Sequence, residues 1–421
     1  MKRRTRGPKP RPGSAARPGR KPAPRTAPSG SRGPRQQARS PSRHDPRPPQ
    51  PTRPTQRQPA PPKAHPVEPP QIARNLPPVA IAPGSWLFTC RAGSERDVQD
   101  ELVLSRVSQQ PVIVAPSLVV AGGLPKSLDV TRDLTFVRQG FRIVALGSGF
   151  DMEARILRAA VSALAQAKQY ALQVWVPDSP QGNAHATLAR SIEERLLQSL
   201  SEALPQLERV SDAELQQRGD TPLLQVCLID ADRLALGVDR ASRAISLAPG
   251  GRTRTRVHGD LPSRSARKLE EALLWMGTGP GPGETCVDLG AAPGGWTFVL
   301  AGRGAHVTAV DLAQLDPKLL QRRTVRVARQ NAFQYQPEDP VDWLFCDMAY
   351  RPLEVAALLA KWARSRWARL LVANIKLPMT RKAEILSRVK QILEEGGWRQ
   401  LRSKQLYHDR DEVTIRGYST T

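Results

Sequence analysis

Apolar and polar positions follow two different rhythms along this chain, and the change falls near residue 262. Before it, short apolar runs with a period near two are separated by polar turns. Residues 85–90 (Ser-Trp-Leu-Phe-Thr-Cys) read as a strand, followed by a polar helical stretch over 95–104. Further strands are expected over 110–114, 118–120 and 134–145. An Ala-rich run with apolar spacing near 3.6 predicts a helix over 152–170. A strand over 172–176, a helix over 192–204 and strands over 223–228 and 233–238 follow. Residues 85–250 therefore read as α+β, in two small subdomains.

From 262 onward helices and strands take turns. Helices are expected over 266–275, 296–301, 353–365 and 383–395. Strands are expected over 285–289, 306–310, 324–328, 341–345 and 370–375. Regular alternation of this kind implies an α/β domain with a parallel sheet covered by helices on both faces. The runs 400–406 and 412–417 look like closing strands, as an antiparallel pair. No internal repeat is visible.

Composition changes the picture at the N-terminus. The formal charge is +24, and residues 1–80 carry 19 Lys and Arg against Asp45 and Glu68, together with 22 of the 40 prolines. Such a segment cannot bury enough apolar surface to offset the entropy of ordering it. It reads as a disordered basic arm suited to a polyanion, or as a plain solvating tail. No apolar run reaches the roughly 18 residues of a membrane span, and no signal-peptide core follows the start. The proline density forbids the amphipathic helix of a transit peptide. The four cysteines, Cys90, Cys227, Cys286 and Cys346, form no CxxC pair. No metal site is expected, and they read as buried thiols of a cytoplasmic protein.

Candidate chemistry concentrates where strands end, because ligands of open α/β sheets bind beyond the carboxyl ends of the strands. The run Asp288-Leu289-Gly290-Ala291-Ala292-Pro293-Gly294-Gly295-Trp296-Thr297 is a strand end, a Gly-rich turn and a helix start. It lacks the G-x-G-x-x-G spacing of a dinucleotide loop. Asp311 ends the next strand and can accept from both hydroxyls of a ribose; its alternative is a loop acid capping a helix. Asn331 follows the third strand, where its amide oxygen could meet an adenine, or simply close a turn. Asp347 and Lys376 end the fourth and fifth. A lysine at the end of a buried strand is costly unless partnered, although a rim lysine can snorkel to water.

The Gly-rich run resembles the S-adenosylmethionine loop of the FtsJ-like 2′-O-ribose methyltransferases. The order Lys268, Asp347, Lys376, Glu412 resembles their catalytic K-D-K-E tetrad. The runs P-S-R-S-x-x-K-L-E-E-A, C-D-M, N-I-K-L-P-M and Q-L-Y-H-D-R-D-E-V-T, with the earlier C-R-x-G, resemble the bacterial 23S ribosomal RNA 2′-O-methyltransferase M family over about 85–417. The resemblance implies a Rossmann-like methyltransferase domain over 257–421. Ahead of it come a ferredoxin-like piece over 83–148, a THUMP-like RNA-binding domain over 149–256 and an extra arm over 1–82. It implies S-adenosylmethionine as cofactor, with a binding set of Ser265, Asp288, Gly290, Ala292, Pro293, Gly294, Gly295, Trp296, Asp311, Asn331 and Asp347. Its substrate would be one cytidine in the peptidyl-transferase region of 23S rRNA, free or in a large-subunit precursor. The family often has Asp where Asn331 stands.

In this reading Lys376 takes the 2′-hydroxyl proton, or orients and stabilises the alkoxide. Arg252, Arg254 and Arg256 alternate, and form either a phosphate-contacting strip or a solvated linker. His408 is open between nucleotide contact and a structural hydrogen bond. A cytoplasmic monomer without membrane contact is expected. The alternatives are a noncatalytic RNA-binding assembly factor and, more remotely, a nicotinamide-dependent oxidoreductase.

Overall fold

The computed structural model describes residues 81–106, 108, 110–122, 134–253 and 261–419. The basic arm up to residue 80, and Arg254 and Arg256, lie outside the described residues.

The first part of the chain runs β1 (Trp86–Thr89), α1 (Glu95–Leu104), β2 (Val112–Ala115), β3 (Leu118–Ala121), β4 (Gln139–Ser148), α2 (Met152–Ala163), β5 (Gln169–Trp175), α3 (Pro180–Ala184), α4 (Ala186–Ala203), β6 (Glu208–Arg209), β7 (Pro222–Asp230) and β8 (Arg233–Arg240). Its strands make one eight-stranded sheet in the order β2-β3-β1-β4-β8-β7-β5-β6. Strand β4 is shared. Its first half pairs with β1 through Gln139–Arg142, and its second half pairs with β8 from Ile143 to Ser148. Helices α2 and α4 cover the sheet with an apolar stripe that includes Ile156, Ala160, Ile192, Leu196 and Leu200.

Two expected elements have different limits, for identifiable reasons. The strand expected from 134 begins only at Gln139. The N–H groups of Thr135 and Phe136 donate to the buried carboxylate of Glu101, at 2.6 and 3.0 Å, instead of to a neighbouring strand. The helix expected to reach 170 stops at Ala163. Gln169 and Tyr170 are claimed by parallel pairing with Glu208 and Arg209, a tertiary demand that overrides the helix propensity of the Ala-rich run.

The second part comprises α5 (Ala266–Met276), β9 (Thr285–Leu289), α6 (Gly295–Gly302), β10 (His306–Val310), α7 (Pro317–Leu320), β11 (Val325–Ala328), β12 (Val341–Cys346), α8 (Pro352–Arg364), β13 (Ala368–Lys376), α9 (Lys382–Gly396), β14 (Trp398–Lys404) and β15 (Glu412–Ser419). The seven strands lie in the order β11-β10-β9-β12-β13-β15-β14. β9 to β13 are parallel, and β15 enters antiparallel between β13 and β14. The inner strands are near-continuous apolar runs, as burial on both faces requires. Successive connections leave β9 toward β10 on one side and return to β12 on the other. The sheet's switch point therefore falls between the carboxyl ends of β9 and β12.

The two parts share a core. Phe88, Val98, Leu102 and Phe136 belong to the same buried cluster as Leu289, Trp362, Leu386 and Trp398. A buried ion pair, Lys382 to Asp97 at 3.0 Å, joins α9 to α1.

Candidate active site

At the end of β9 the chain makes the turn that the Gly-rich run predicted. Gly290 adopts φ 76°, and its N–H and that of Ala291 donate to the carbonyl of Val310 at 3.0 and 3.3 Å. A side chain at these glycines would collide with the protein itself. A Cβ on Gly290 would lie 2.5 Å from Met348 Cγ, and one on Gly294 (φ 114°) 2.1 Å from Leu319 Cδ1. At Gly295 it would lie 2.3 Å from both Ser263 Oγ and Ser265 Oγ, hydroxyls that hold each other at 2.6 Å. Gly295→Ala is therefore expected to push the start of α6 off the start of α5. The cost should be about 1–3 kcal/mol, seen as a lower Tm and weaker S-adenosylmethionine binding by calorimetry. Wild-type values for both would show that the contact yields freely.

Acids frame this turn. Asp288 is fully buried; one carboxylate oxygen accepts from Thr297 Oγ1 at 2.7 Å and Oδ1 has no partner among the described residues. Burial raises its pKa to about 7; the Thr297 hydrogen bond opposes this, and the charges of Asp347 and Asp311 add to it. In the unfolded chain the same group ionises near pH ~3.9. Between those values the folded protein holds a proton that the unfolded chain has lost, so the group's contribution to stability falls as pH rises from about 4 to about 7 and is level above. Asp288→Asn removes the titration. Its Tm relative to wild type is expected to gain most above pH 7 and to lose that gain near pH 4. A difference independent of pH would rule out a buried, proton-binding Asp288.

The other members of the expected cofactor set have definite places. Asp311 ends β10; its Oδ2 accepts from the N–H of Ala292 at 3.0 Å and its Oδ1 from that of Ala313 at 2.8 Å. Each oxygen keeps a further lone pair for a ribose hydroxyl. Pro293 is exposed on the turn and its carbonyl accepts from the N–H of Asp316. Asn331 Oδ1 accepts from the N–H of Phe333 at 2.9 Å, the geometry of a turn asparagine. Trp296, also in the expected set, has a core side chain. Its ring is 2% exposed, packed edge-on against Phe345, with Nε1 donating to the carbonyl of Ser265. An apolar ring of that size at the second position of α6 is drawn into the core.

Lys268, Asp347, Lys376 and Glu412 come together beyond the ends of β12, β13 and β15. Lys376 stands directly opposite Glu412 in the β13–β15 register. Lys268, on α5, donates to Glu412 Oε1, and Glu412 Oε2 accepts from the N–H of Asp411 at 2.9 Å. Burial opposes the charge of Lys268, but Asp347 and Glu412 outweigh it and hold the ammonium above the ordinary lysine value. Burial likewise opposes ionisation of Glu412, and the bond from Lys268 more than compensates, leaving its pKa low. Asp347 is raised by burial despite the nearby lysines and a hydrogen bond from Asn374.

The sequence reading missed the supports of this group. Asn374 is 2% exposed; its Nδ2 donates to Asp347 Oδ1 at 3.2 Å and its Oδ1 accepts from Thr414 Oγ1 at 3.2 Å. Thr414 also meets the buried Asp409 at 3.2 Å, whose Oδ2 accepts from the N–H of Leu406. A buried polar residue at position 374, inside an otherwise apolar strand, was the available signal. Glu271 accepts from the N–H groups of Tyr407 and His408 and pairs with His408 Nδ1 at 2.8 Å. His408 thus has the structural role left open above. Arg138 stacks on Tyr407 and donates to the carbonyls of Leu406 and Tyr407. The loop leading into Glu412 is gripped by both parts of the chain.

Arg252 is engaged within the protein. Its guanidinium is spent on Asn183 Oδ1 and on the carbonyls of Val176 and Pro177, clamping the turn after β5. The four cysteines are free and buried, as expected.

A seven-stranded sheet of this order, with a glycine turn after its first strand and an acid ending its second, defines an S-adenosylmethionine-dependent methyltransferase. The FtsJ-like methyltransferase family model matches residues 261–380. Ribosomal RNA large subunit methyltransferase M of Alkalilimnicola ehrlichii is 36% identical over 351 residues, which cover 78% of this chain and 93% of that protein. The protein of the same name from Xanthomonas oryzae pv. oryzae is 36% identical over 294 residues, covering 68% of this chain and 82% of its own length. The chain belongs to the ribosomal RNA large subunit methyltransferase M family.

The residues present fit the cofactor of that class. The unpartnered Oδ1 of Asp288 and the spare lone pairs of Asp311 supply hydrogen-bond acceptors beside the glycine turn. Among the described residues no helix is long and apolar enough to cross a membrane.

Proposed function

We propose that this protein methylates the ribose 2′-oxygen of a cytidine in the peptidyl-transferase region of 23S rRNA, as a cytoplasmic monomer. The observation that carries the reading is the meeting of Lys268, Asp347, Lys376 and Glu412 beside the cofactor turn. S-adenosylmethionine, when bound, supplies a methyl group made electrophilic by its sulfonium. Asp288, Asp311, the 290–296 backbone and Ser265 would hold it, with Asn331 toward its base.

The remaining work falls to the chain. A ribose hydroxyl keeps its proton at neutral pH, so a base and a cation are both needed. Lys376, solvent-exposed at the strand end, accepts the proton when it is the neutral amine. Lys268, held charged by two carboxylates, stabilises the developing alkoxide. Asp347 and Glu412 fix the two lysines, and the coupled group titrates as a unit.

We assign residues 1–82 to a basic arm, 83–148 to a ferredoxin-like piece, 149–256 to a THUMP-like RNA-binding domain and 257–421 to the methyltransferase domain. The boundary at 257 is supported by the separation in sequence of the sheet formed by residues 86–240 from the sheet formed by residues 285–419. The test is transfer of labelled methyl groups to protein-free 23S rRNA, followed by mapping of the product. Label on one cytidine 2′-oxygen is the expected result. No label, with S-adenosylmethionine still bound, would favour a noncatalytic assembly factor or a precursor particle as substrate.

A further inference from the structure

A second cleft, of about 290 Å³, lies where the two parts of the chain meet. Its methyltransferase side is formed by Glu271, Leu274 and Trp275 of α5 and by the segment 404–407. Its other side is formed by Arg138, Gln216, the segment 244–248, Gly251 and Thr253. Lys404 lines it and is the anomaly. The residue is 8% exposed, and its ammonium has one protein acceptor, the carbonyl of Ile245 at 3.2 Å. An ammonium carries three donors, and a buried cation without a counter-charge is costly.

Among the described residues no carboxylate makes an ion pair with it. Glu271, in the same wall, has both oxygens committed to Tyr407 and His408. Arg138 is neutralised by Asp178 at 2.9 Å. Gln405, also in the wall and 1% exposed, has an unpartnered Oε1. Among the described residues Lys404 therefore has a carbonyl acceptor and no ion pair, and Glu271 acts on it only as a charge in the same wall. Burial, only partly offset by Glu271, lowers the Lys404 pKa to about 8, as expected of a cation lacking its anion.

We propose that this cleft is an anion site receiving one phosphodiester of the RNA substrate, with Lys404 as its counter-charge. The proposal rests on RNA being the substrate. It explains why a charge is kept here at the cost of stability, and it places the contact on the segment that runs on to Glu412. A phosphate seated there would hold the RNA strand against both parts of the chain at once.

The test compares wild type with Lys404→Met in binding a protein-free 23S rRNA transcript at several salt concentrations. Methionine keeps the apolar stem and removes only the charge. RNA binding is expected to weaken about tenfold, and the log–log salt slope to shrink by about 1, the loss of one phosphate contact. KM for RNA should rise while S-adenosylmethionine affinity stays unchanged. Tm should be equal or higher, because an unpaired buried charge is gone.

Unchanged RNA affinity and slope would overturn the proposal. So would a fall in Tm that accompanies the loss of binding, since that marks a packing role. If inorganic phosphate alone raises the wild-type Tm, Lys404→Met does not respond, and RNA affinity is unaffected, the cleft takes a free anion and the RNA assignment fails. Lys404→Gln is the second variant should Lys404→Met not fold. Wild type that binds the transcript but never methylates it would sink the proposed activity and not this site.

Discussion

Lys376→Ala is expected to lower methyl transfer by roughly 10²–10⁴-fold, the range for removing a positioned proton acceptor, with S-adenosylmethionine affinity unchanged. Lys376 ends β13, opposite Glu412, and its side chain is exposed beyond the sheet rather than packed beneath it. Truncation therefore opens no cavity, and Tm should be that of wild type. The cofactor turn lies at the end of β9 and, among the described residues, is hydrogen-bonded to Val310 and Asp311 and not to Lys376. Calorimetric titration together with single-turnover transfer separates these effects. A variant that keeps a near-wild-type rate would remove Lys376 from the chemistry. One that loses cofactor affinity in parallel with rate would make it a binding residue.

The second large effect belongs to the Lys268–Glu412 pair. Their side chains are 19% and 13% exposed, so neither charge is well hydrated. Removing one partner of a largely buried pair strands the other and costs roughly 3–5 kcal/mol. Glu412→Gln is expected to fall in that range by denaturant unfolding and to lose most activity, because Lys268 is no longer held. The double variant Lys268→Met/Glu412→Leu should recover most of the stability, since apolar groups of similar size can replace a buried pair. Its activity should remain lost. Recovery of activity in the double variant would show that the pair serves the fold alone. Full stability in Glu412→Gln would show that water reaches the pair freely.

Local pattern carried a good deal of this protein. Alternation of helix and strand after residue 262 specified the parallel sheet, because side-chain periodicity reports which faces are buried. The run Asp288 to Thr297 specified the turn, because only glycine fits where the chain closes on Met348, Leu319 and the two serines. Asp311, Asp347 and Lys376 were legible as strand-end residues for the same reason that ligands bind there. Their union with Lys268 and Glu412 was legible only through family resemblance, since periodicity is silent about partners 144 residues apart.

Tertiary structure decided the rest. Asn374 reads in sequence as one polar residue in an apolar strand; only the arrival of β12 and β15 on either side makes it the link between Asp347 and Thr414. Glu271 became a loop anchor, Trp296 a core ring and Arg252 a clamp because groups distant in sequence claimed their hydrogen bonds or their surface first. Strand β4 starts late because Glu101 captures two backbone N–H groups, and among the described residues Lys404 has only a carbonyl acceptor because the oxygens of Glu271 are taken by Tyr407 and His408. A buried donor or acceptor must find a partner. Which partner it finds depends on what the fold brings within about 3 Å, and that distance is not written in the order of residues.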